Sequence, residues 1–119
     1  MSCLFCDIAN NENKEHVLYE DDKVVALLDL YPESEGHTLV IPKKHYEDIY
    51  EIPDDVLMHM FNVSRMVSKN TMEKLGQKSI QFHINYGDAQ AIKHIHLHSF
   101  EKLNGVKKRS VDEVFEILK

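Results

Sequence analysis

Short apolar runs separated by turn residues predict strands in the first third of the chain. Residues 17–20 and 24–29 are rich in aliphatic and β-branched side chains, and the two aspartates between them predict a hairpin. The apolar run 38–41 is typical of a buried central strand. Pro42 is predicted to end that strand, because proline has no N–H to donate to a neighbouring strand.

The rest of the chain predicts a long helix, two further strands and a short final helix. Apolar and small residues recur at helical spacing between Pro53 and Gly76, which predicts one long amphipathic helix. Residues 79–86 alternate between apolar and polar positions, as do residues 93–100, so both segments predict strands. Residues 110–118 are typical of a helix that is capped by its leading serine.

Five predicted strands with short connections favour an antiparallel sheet, and the one long helix can cover a single face of it. The expected fold class is therefore α+β, with a mainly antiparallel five-stranded sheet, one long helix and a shorter C-terminal helix. The chain has 119 residues, of which 43% are hydrophobic, and these can build the core of one domain. We expect residues 1–119 to form that single domain.

The charge balance excludes some classes of partner. The chain carries 14 Lys and Arg residues against 20 Asp and Glu residues, a formal net charge of -6. Nucleic acids and anionic membranes attract clustered cations, so neither is an expected partner, whereas a local site can still bind a small phosphate ligand. No apolar run approaches the length of a membrane span, and the N-terminus lacks the basic and apolar regions of a secretory signal, which predicts a cytoplasmic protein.

Cys3 and Cys6 are the two cysteines of the chain. A disulfide between residues this close would constrain very little, so the pair predicts a metal-binding or redox-active site. The spacing is that of a zinc knuckle, which needs two further ligands that spacing alone does not identify. A thioredoxin-like redox pair is the alternative, although that motif opens a helix after a strand, and no strand is predicted before Cys3.

Three of the eight histidines fall at alternating positions of the last predicted strand. Side chains alternate faces along a strand, so His94, His96 and His98 are expected on one side, with Ile95 and Leu97 on the opposite, apolar side. A neutral imidazole can bind a metal, attack phosphorus as a nucleophile, or exchange protons near neutral pH. Spacing alone does not choose among these uses.

Three separated motifs resemble one known family. Segment 94–100, HIHLHSF, is similar to the histidine-triad signature of the HIT superfamily of nucleotide hydrolases and transferases. Segments 2–6, SCLFC, and 36–45, GHTLVIPKKH, resemble two further landmarks of that family, in the expected order and at the expected distances. The resemblance covers residues 2 to about 100, implies a HIT-like fold there, and leaves the tail 101–119 uncovered.

The resemblance implies a hydrolase or nucleotidyl transferase. In the proteins that the chain resembles, the middle histidine attacks the α-phosphate of a purine nucleoside phosphoramidate or related nucleotide, and water then hydrolyses the covalent nucleotidyl-histidine. That role falls on His96, since an imidazole needs no deprotonation to act as a nucleophile at physiological pH. His98 and His37 would contact the phosphate and transfer protons. The implied partner is a small purine nucleotide.

The resemblance also implies nucleotide-binding residues. Asp29 matches the ribose-binding acid of the family, because a carboxylate can accept hydrogen bonds from both ribose hydroxyls. Asn85 and Gln90 match positions near the phosphate. The residues that match the apolar pocket around the base are Phe5, Ile8, Leu27 and Leu30.

Resemblance to the zinc-containing bacterial-type branch of the family implies a structural zinc ion. The ligands that would join Cys3 and Cys6 are His45 and His94, so the first histidine of the triad would hold metal and tie the N-terminus to the catalytic strand. Relatives form homodimers by joining their sheets, and a homodimer is therefore expected here.

Two departures from the family pattern keep other functions open. Ala91 stands three residues before His94, where many relatives carry a hydroxyl or acidic side chain, and the loop that begins at Asn85 is shorter than in the nucleoside phosphoramidase branch. The alternatives are a purine nucleotide-binding or sensing module with little turnover, and a zinc-stabilised interaction domain. The histidines without an assigned role include His16, His59 and His83.

Overall fold

One antiparallel sheet of five strands carries helices on both of its faces. The computed structural model describes residues 3–11, 14–102 and 109–119. The strands are β1 (Val17–Glu20), β2 (Val24–Leu28), β3 (Thr38–Pro42), β4 (Gln81–His83) and β5 (Leu97–Phe100). The helices are α1 (Leu4–Asn10), α2 (Asp54–Leu75) and α3 (Val111–Leu118), with a short 3-10 helix at Gly87–Ala89.

The strands lie in the order β1-β2-β3-β5-β4, and each adjacent pair is antiparallel. The predicted α+β class, with its antiparallel five-stranded sheet, long helix and shorter C-terminal helix, is confirmed. The domain boundary at 1–119 stays a prediction. Within the three described ranges, no helix combines the length and the apolar character that a membrane crossing requires.

Strands β2 and β3 are buried on both faces, because alternate residues of each enter two separate apolar clusters. The cluster on the α2 side contains Val24, Ala26, Val40, Ile52, Met60, Val63, Val67, Ile95 and Leu97. The cluster on the α1 side contains Phe5, Ala9, Val25, Leu27, Leu39 and Ile41. A third, smaller cluster joins α3 to the end of β2 through Leu28, Val114 and Leu118.

The helix α1 is not predicted by the sequence. It has 7 residues, too few for an amphipathic period to be visible. Cys3 caps the helix, since its Sγ accepts a hydrogen bond from the backbone N–H of Cys6 at 3.4 Å. The sequence places one long helix on a single face, and α1 covers the other face.

Strands β4 and β5 are shorter than the predicted segments 79–86 and 93–100. Their pairing ends where His83 lies opposite His98. On the β4 side the chain then turns away through Gly87, whose φ of 73° lies in the left-handed region.

The segment before β5 leaves the sheet ladder but keeps the alternation of a strand. The N–H of Ile95 donates to the carbonyl oxygen of Tyr46 at 2.8 Å, so a loop takes the place of a neighbouring strand. Ile95 and Leu97 are both fully buried in the α2-side cluster. The residues between and beside them therefore face the opposite side of the sheet.

Gly36 lies directly before His37 and approaches α2 closely. Its φ is 81°, and a Cβ at this position would lie 2.6 Å from Cγ2 of Thr71 and 3.0 Å from Cδ1 of Leu75. Gly76, which ends α2, has a similar φ of 67°, but a Cβ there would meet no described atom within 4 Å. Comparing substitutions at the two glycines therefore distinguishes the cost of backbone strain from the cost of steric contact.

We expect the substitution Gly36→Ala to lower the free energy of unfolding by about 2–4 kcal/mol, since strain and overpacking add. Gly76→Ala should cost only about 1 kcal/mol, because strain acts there alone. Urea denaturation of both variants beside the wild-type chain measures the difference. Equal losses in the two variants would contradict the close approach of Gly36 to α2.

Candidate active site and metal centre

His94, His96 and His98 form a row, called the histidine row below. Their side chains project together from the side of the sheet that α1 covers. Phe5 of α1 meets the rings of His94 and His96 edge-on, with centroids 6.1 Å and 4.9 Å away. The rings of His96 and His98 are 4.8 Å apart. The single face that alternation predicts for these residues is thus the face that they occupy.

The proton of His96 has a position fixed by the backbone. Its Nδ1 lies 2.9 Å from the carbonyl oxygen of His94, and a carbonyl oxygen can only accept a hydrogen bond. Nδ1 therefore carries the proton, and Nε2 presents a lone pair in the neutral ring. Burial lowers the pKa of His96 below its ordinary value, and so favours this neutral form.

A chain of hydrogen bonds with a fixed direction leads to His98. The backbone N–H of Glu33 donates to Nδ1 of His37 at 3.0 Å, so the proton of a neutral His37 is on Nε2. That atom lies 3.0 Å from Nδ1 of His98 and donates to it. His98 must then hold its own proton on Nε2, which is the reverse of the arrangement in His96.

The Nε2–H of His98 is buried without a hydrogen-bond partner among the described residues. Burial, together with the charges of the neighbouring imidazoles, lowers the pKa of His98 to about 3, so this ring stays neutral at physiological pH. An unsatisfied buried donor costs roughly 1–3 kcal/mol. A bound acceptor, such as a phosphate oxygen, would remove that cost.

Asp29 lies at the end of β2, beside the same rings. Its Oδ1 accepts from the N–H of Tyr31 at 2.8 Å, and its Oδ2 lies 3.6 Å from Nε2 of His37. Asp29, His37 and His98 are close enough to share a cation. The protonation of His37 opposes that use, because its Nδ1 already accepts from the backbone, and a metal at Nε2 would require an imidazolate. We therefore interpret this group as a hydrogen-bonding cluster.

A separate cluster has the arrangement of a metal centre. Its ligand atoms come from Cys3, Cys6, His45 and His94, and all lie within 4.8 Å of one another. Nδ1 of His94 lies 3.4 Å from Sγ of Cys3 and 3.3 Å from Sγ of Cys6, and Nδ1 of His45 lies 3.1 Å from Sγ of Cys6. A tetrahedral zinc ion separates bonded sulfur and nitrogen by about 3.6 Å, so the four atoms need little movement to fit one.

The tautomer of His94 suits metal binding. Its Nε2 lies 2.8 Å from the carbonyl oxygen of Pro42 and must donate to it, which leaves the lone pair on Nδ1, the atom that faces the thiols. Burial and the adjacent Cys3 raise the pKa of the Cys6 thiol to about 11. Two imidazole nitrogens face the two thiols, as in a closed zinc site, so the arrangement favours metal binding over the redox alternative.

Three of the four residues predicted to surround the base lie around one cavity. Ile8, Leu27 and Leu30 line one open cavity of about 270 Å³. Phe5 does not line this cavity but packs against the rings of His94 and His96.

The two residues expected near the phosphate are not brought to the triad by any hydrogen bond. Gln90 is buried, and its side-chain amide donates to the carbonyl oxygen of Glu47, so it braces a loop. Asn85 is half-buried and makes no side-chain hydrogen bond to another described residue. Their predicted roles stay predictions.

Sequence reasoning missed one histidine of the site. His83 lies opposite His98 in the β4–β5 register, and the two rings stack with centroids 4.6 Å apart and planes 24° from parallel. The pairing of two distant segments is what reveals this neighbour. The other unassigned histidines pair with carboxylates, His16 with Asp112 and His59 with Asp21, each at 2.7 Å.

Comparison with known proteins identifies the family to which the chain is similar. The HIT domain model matches residues 10–104. A HIT-like protein of Methanocaldococcus jannaschii is 38% identical over 98% of this chain and 98% of its own length. The adenylylsulfatase HINT3 of Arabidopsis thaliana is 38% identical over 81% of this chain, which spans 50% of that longer protein.

Among solved structures, a zinc-bound histidine triad family protein from Mycobacterium smegmatis has the same fold. Its TM-score is 0.87 at 33% identity, covering 99% of this chain and 91% of that chain. The family model spans most of the sequence, and the likeness of relatives extends over nearly the full length and the whole fold. The chain therefore belongs to the HIT domain family.

Proposed function

We propose that this protein is a nucleotide hydrolase or nucleotidyl transferase that attacks the α-phosphate of a purine nucleoside phosphoramidate or related nucleotide through His96. The observation that carries the proposal is the opposite protonation of two adjacent rings. His96 offers a lone pair on Nε2, and His98 offers an unpartnered N–H on Nε2. A phosphate placed between them meets a nucleophile and a hydrogen-bond donor together.

In the proposed first step, the bond between Nε2 of His96 and phosphorus forms while the bond to the leaving group breaks. The positive charge that develops on the His96 ring is stabilised by its Nδ1–H, which points at the carbonyl oxygen of His94. The N–H of His98 donates to a phosphate oxygen, and His37 keeps His98 in the required tautomer. The leaving amine takes a proton from solvent as its bond to phosphorus breaks. Water then cleaves the covalent nucleotidyl-histidine, which releases the nucleotide and one proton and restores the neutral imidazole.

The nucleotide-binding residues form the second part of the proposal. Asp29 would accept hydrogen bonds from the ribose hydroxyls, beside His37. Asn85 would contact the phosphate. Gln90 would support the loop near the phosphate, because its side-chain amide donates to the carbonyl oxygen of Glu47. The residues proposed to surround the purine are Phe5, Ile8, Leu27 and Leu30.

The third part is a structural zinc ion held by Cys3, Cys6, His45 and His94. Two thiols and two imidazoles are ligands that zinc prefers in closed tetrahedral sites. The zinc-bound relative from Mycobacterium smegmatis supports this choice of metal. The ion would fix His94, whose carbonyl oxygen holds His96, and so it would position the nucleophile without touching substrate.

The homodimer and the cytoplasmic location stay predictions. Strand β4 is an edge of the sheet, and its residue Phe82 is 39% exposed, a surface that a second copy could cover.

The two alternative functions differ from the proposed enzyme in ways that can be measured. The sensing module would bind a nucleotide without forming an adduct. The zinc-stabilised interaction domain differs by having no nucleotide affinity.

Brief exposure of the wild-type chain to adenosine phosphoramidate should add one nucleotidyl group to its intact mass, measured after a denaturing quench at alkaline pH. His96→Ala should give no adduct and should release nucleotide more slowly by about 10³-fold or more, because the nucleophile is gone. The matched control is His59→Ala, which removes a histidine that pairs with Asp21. Equal adduct in the His96 and His59 variants would refute the assignment.

The rate of adduct formation should stay near its neutral-pH value at mildly acidic pH. The pKa of His96 is lowered from its usual 6.5, so protonation blocks the nucleophile only at a lower pH. In single-turnover measurements well below saturating substrate, which report the free enzyme, we expect the acidic limb of the rate profile below pH 6.5. A limb centred at or above that pH would mean that His96 is not shielded from water as described.

Freshly purified wild-type protein should contain one zinc ion per chain by elemental mass spectrometry. Cys6→Ala should abolish stoichiometric zinc, because the Cys6 sulfur lies against both histidine ligands. His96→Ala should keep its zinc, since His96 is outside the cluster. Full zinc content in the Cys6 variant would contradict the ligand set.

A further inference from the structure

His83 is a fourth imidazole at the row, and the proposed reaction has not used it. Its ring lies flat on that of His98, 4.6 Å between centroids, and meets Phe100 edge-on at 5.5 Å and 90°. Neither ring nitrogen of His83 hydrogen-bonds to another described residue, and the side chain is only half-buried. His83 therefore packs against His98 of the site, and its ring nitrogens are not hydrogen-bonded to another described residue and can bind a ligand.

The charge of a bound phosphate needs a cation that the buried rings do not readily supply. Burial lowers the pKa of both His96 and His98, and so keeps them neutral. Asp29 adds a further negative charge 3.6 Å from His37. A ring nitrogen of His83, which is half-buried like His98, can donate a hydrogen bond to a phosphate oxygen.

Several described cations are already paired away from the row. Lys14 and Lys43 both contact Glu20, and Arg109 contacts Glu35. An imidazole is the side chain whose charge changes most readily near neutral pH, so a phosphate can create its own counter-charge there.

We propose that His83 binds the phosphate of the nucleotide as an imidazolium, taking up a proton from solvent when the nucleotide arrives. The inference rests on the proposed function, because it assigns a role to His83 at the same phosphate site. No covalent bond changes in this step. One proton moves from solvent to a ring nitrogen of His83, which then donates a charge-assisted hydrogen bond to a phosphate oxygen.

The groups that face His83 make this coupling possible. From β5, His98 faces it directly and His96 follows along the row, while His37 lies 5.2 Å from His98 on the other side. All three are imidazoles, and none supplies a negative charge that would hold a proton on His83 before a nucleotide binds.

The carboxylate of Glu101, which follows β5, does not face His83. Glu101 accepts from the N–H groups of Lys78 and Ser79 at 2.7 Å and 3.1 Å, beyond the end of the pair that is opposite His83. The stacked geometry then favours the bound state, because an imidazolium over the face of a neutral aromatic ring is attracted to it.

The test is calorimetric titration with the 5′-phosphate methyl ester of adenosine, whose diester phosphate does not itself titrate near neutral pH. Binding is measured at about pH 7 in buffers of different ionisation enthalpy, which yields the number of protons taken up per ligand. We expect the wild-type chain to take up a measurable fraction of one proton. His83→Gln keeps a neutral donor, and His83→Phe keeps an aromatic stack; both should lose the uptake and bind about tenfold more weakly or worse.

The control is His59→Gln, which replaces a half-buried histidine on α2 and should keep the wild-type uptake. Circular dichroism of each variant establishes that it is folded. Uptake unchanged in folded His83→Gln that still binds the ester would overturn the role of His83 and leave the proposed function intact. Failure of the wild-type chain to bind the ester would overturn the proposed function, and this inference with it.

Discussion

The hydrogen bond from Nδ1 of His96 to the carbonyl oxygen of His94 is the interaction on which the site depends. A carbonyl oxygen only accepts, so the bond decides which nitrogen of His96 holds the lone pair. The carbonyl oxygen of Pro42 does the same for the His94 ring, and the N–H of Glu33 does so for His37. In each case a backbone group, whose polarity cannot change, sets the tautomer of an imidazole. The division of roles among the rings is therefore a product of the fold.

One residue, His94, joins the two clusters. Its ring faces the thiols of Cys3 and Cys6, and its main chain holds His96. The segment around it lies before β5 and lacks the neighbouring strand that would fix it, so the loop carbonyl of Tyr46 and the cysteine cluster take over that task. The cysteine–histidine cluster thus lies where the sheet gives His96, the proposed nucleophile, least support.

The sequence predicted the sheet, the long helix and the shared face of the triad because these follow from local periods of two and 3.6 residues. The alternation at His94 and His96 persists even though this segment is not paired as a strand. The helix α1 escaped prediction, since seven residues show no clear period. The stacking of His83 on His98 also escaped it, because it depends on the register of two segments that the Gly87 loop separates. Tautomers could not be predicted either, as they depend on distant carbonyl groups.

The shortness of α1 has a thermodynamic consequence. A helix of 7 residues is too short to be stable alone in water, so its order comes from Phe5 and Ala9, buried on the sheet, and from whatever holds Cys3 and Cys6 at its first turn. The same helix contributes Ile8 to the wall of the open cavity beside β2. An ion at the cysteines would stiffen that wall, and a purine in the cavity would in return make the ion harder to lose. Linkage requires that whatever factor the ion contributes to the affinity for the purine, the purine contributes to the affinity for the ion, although the two never touch.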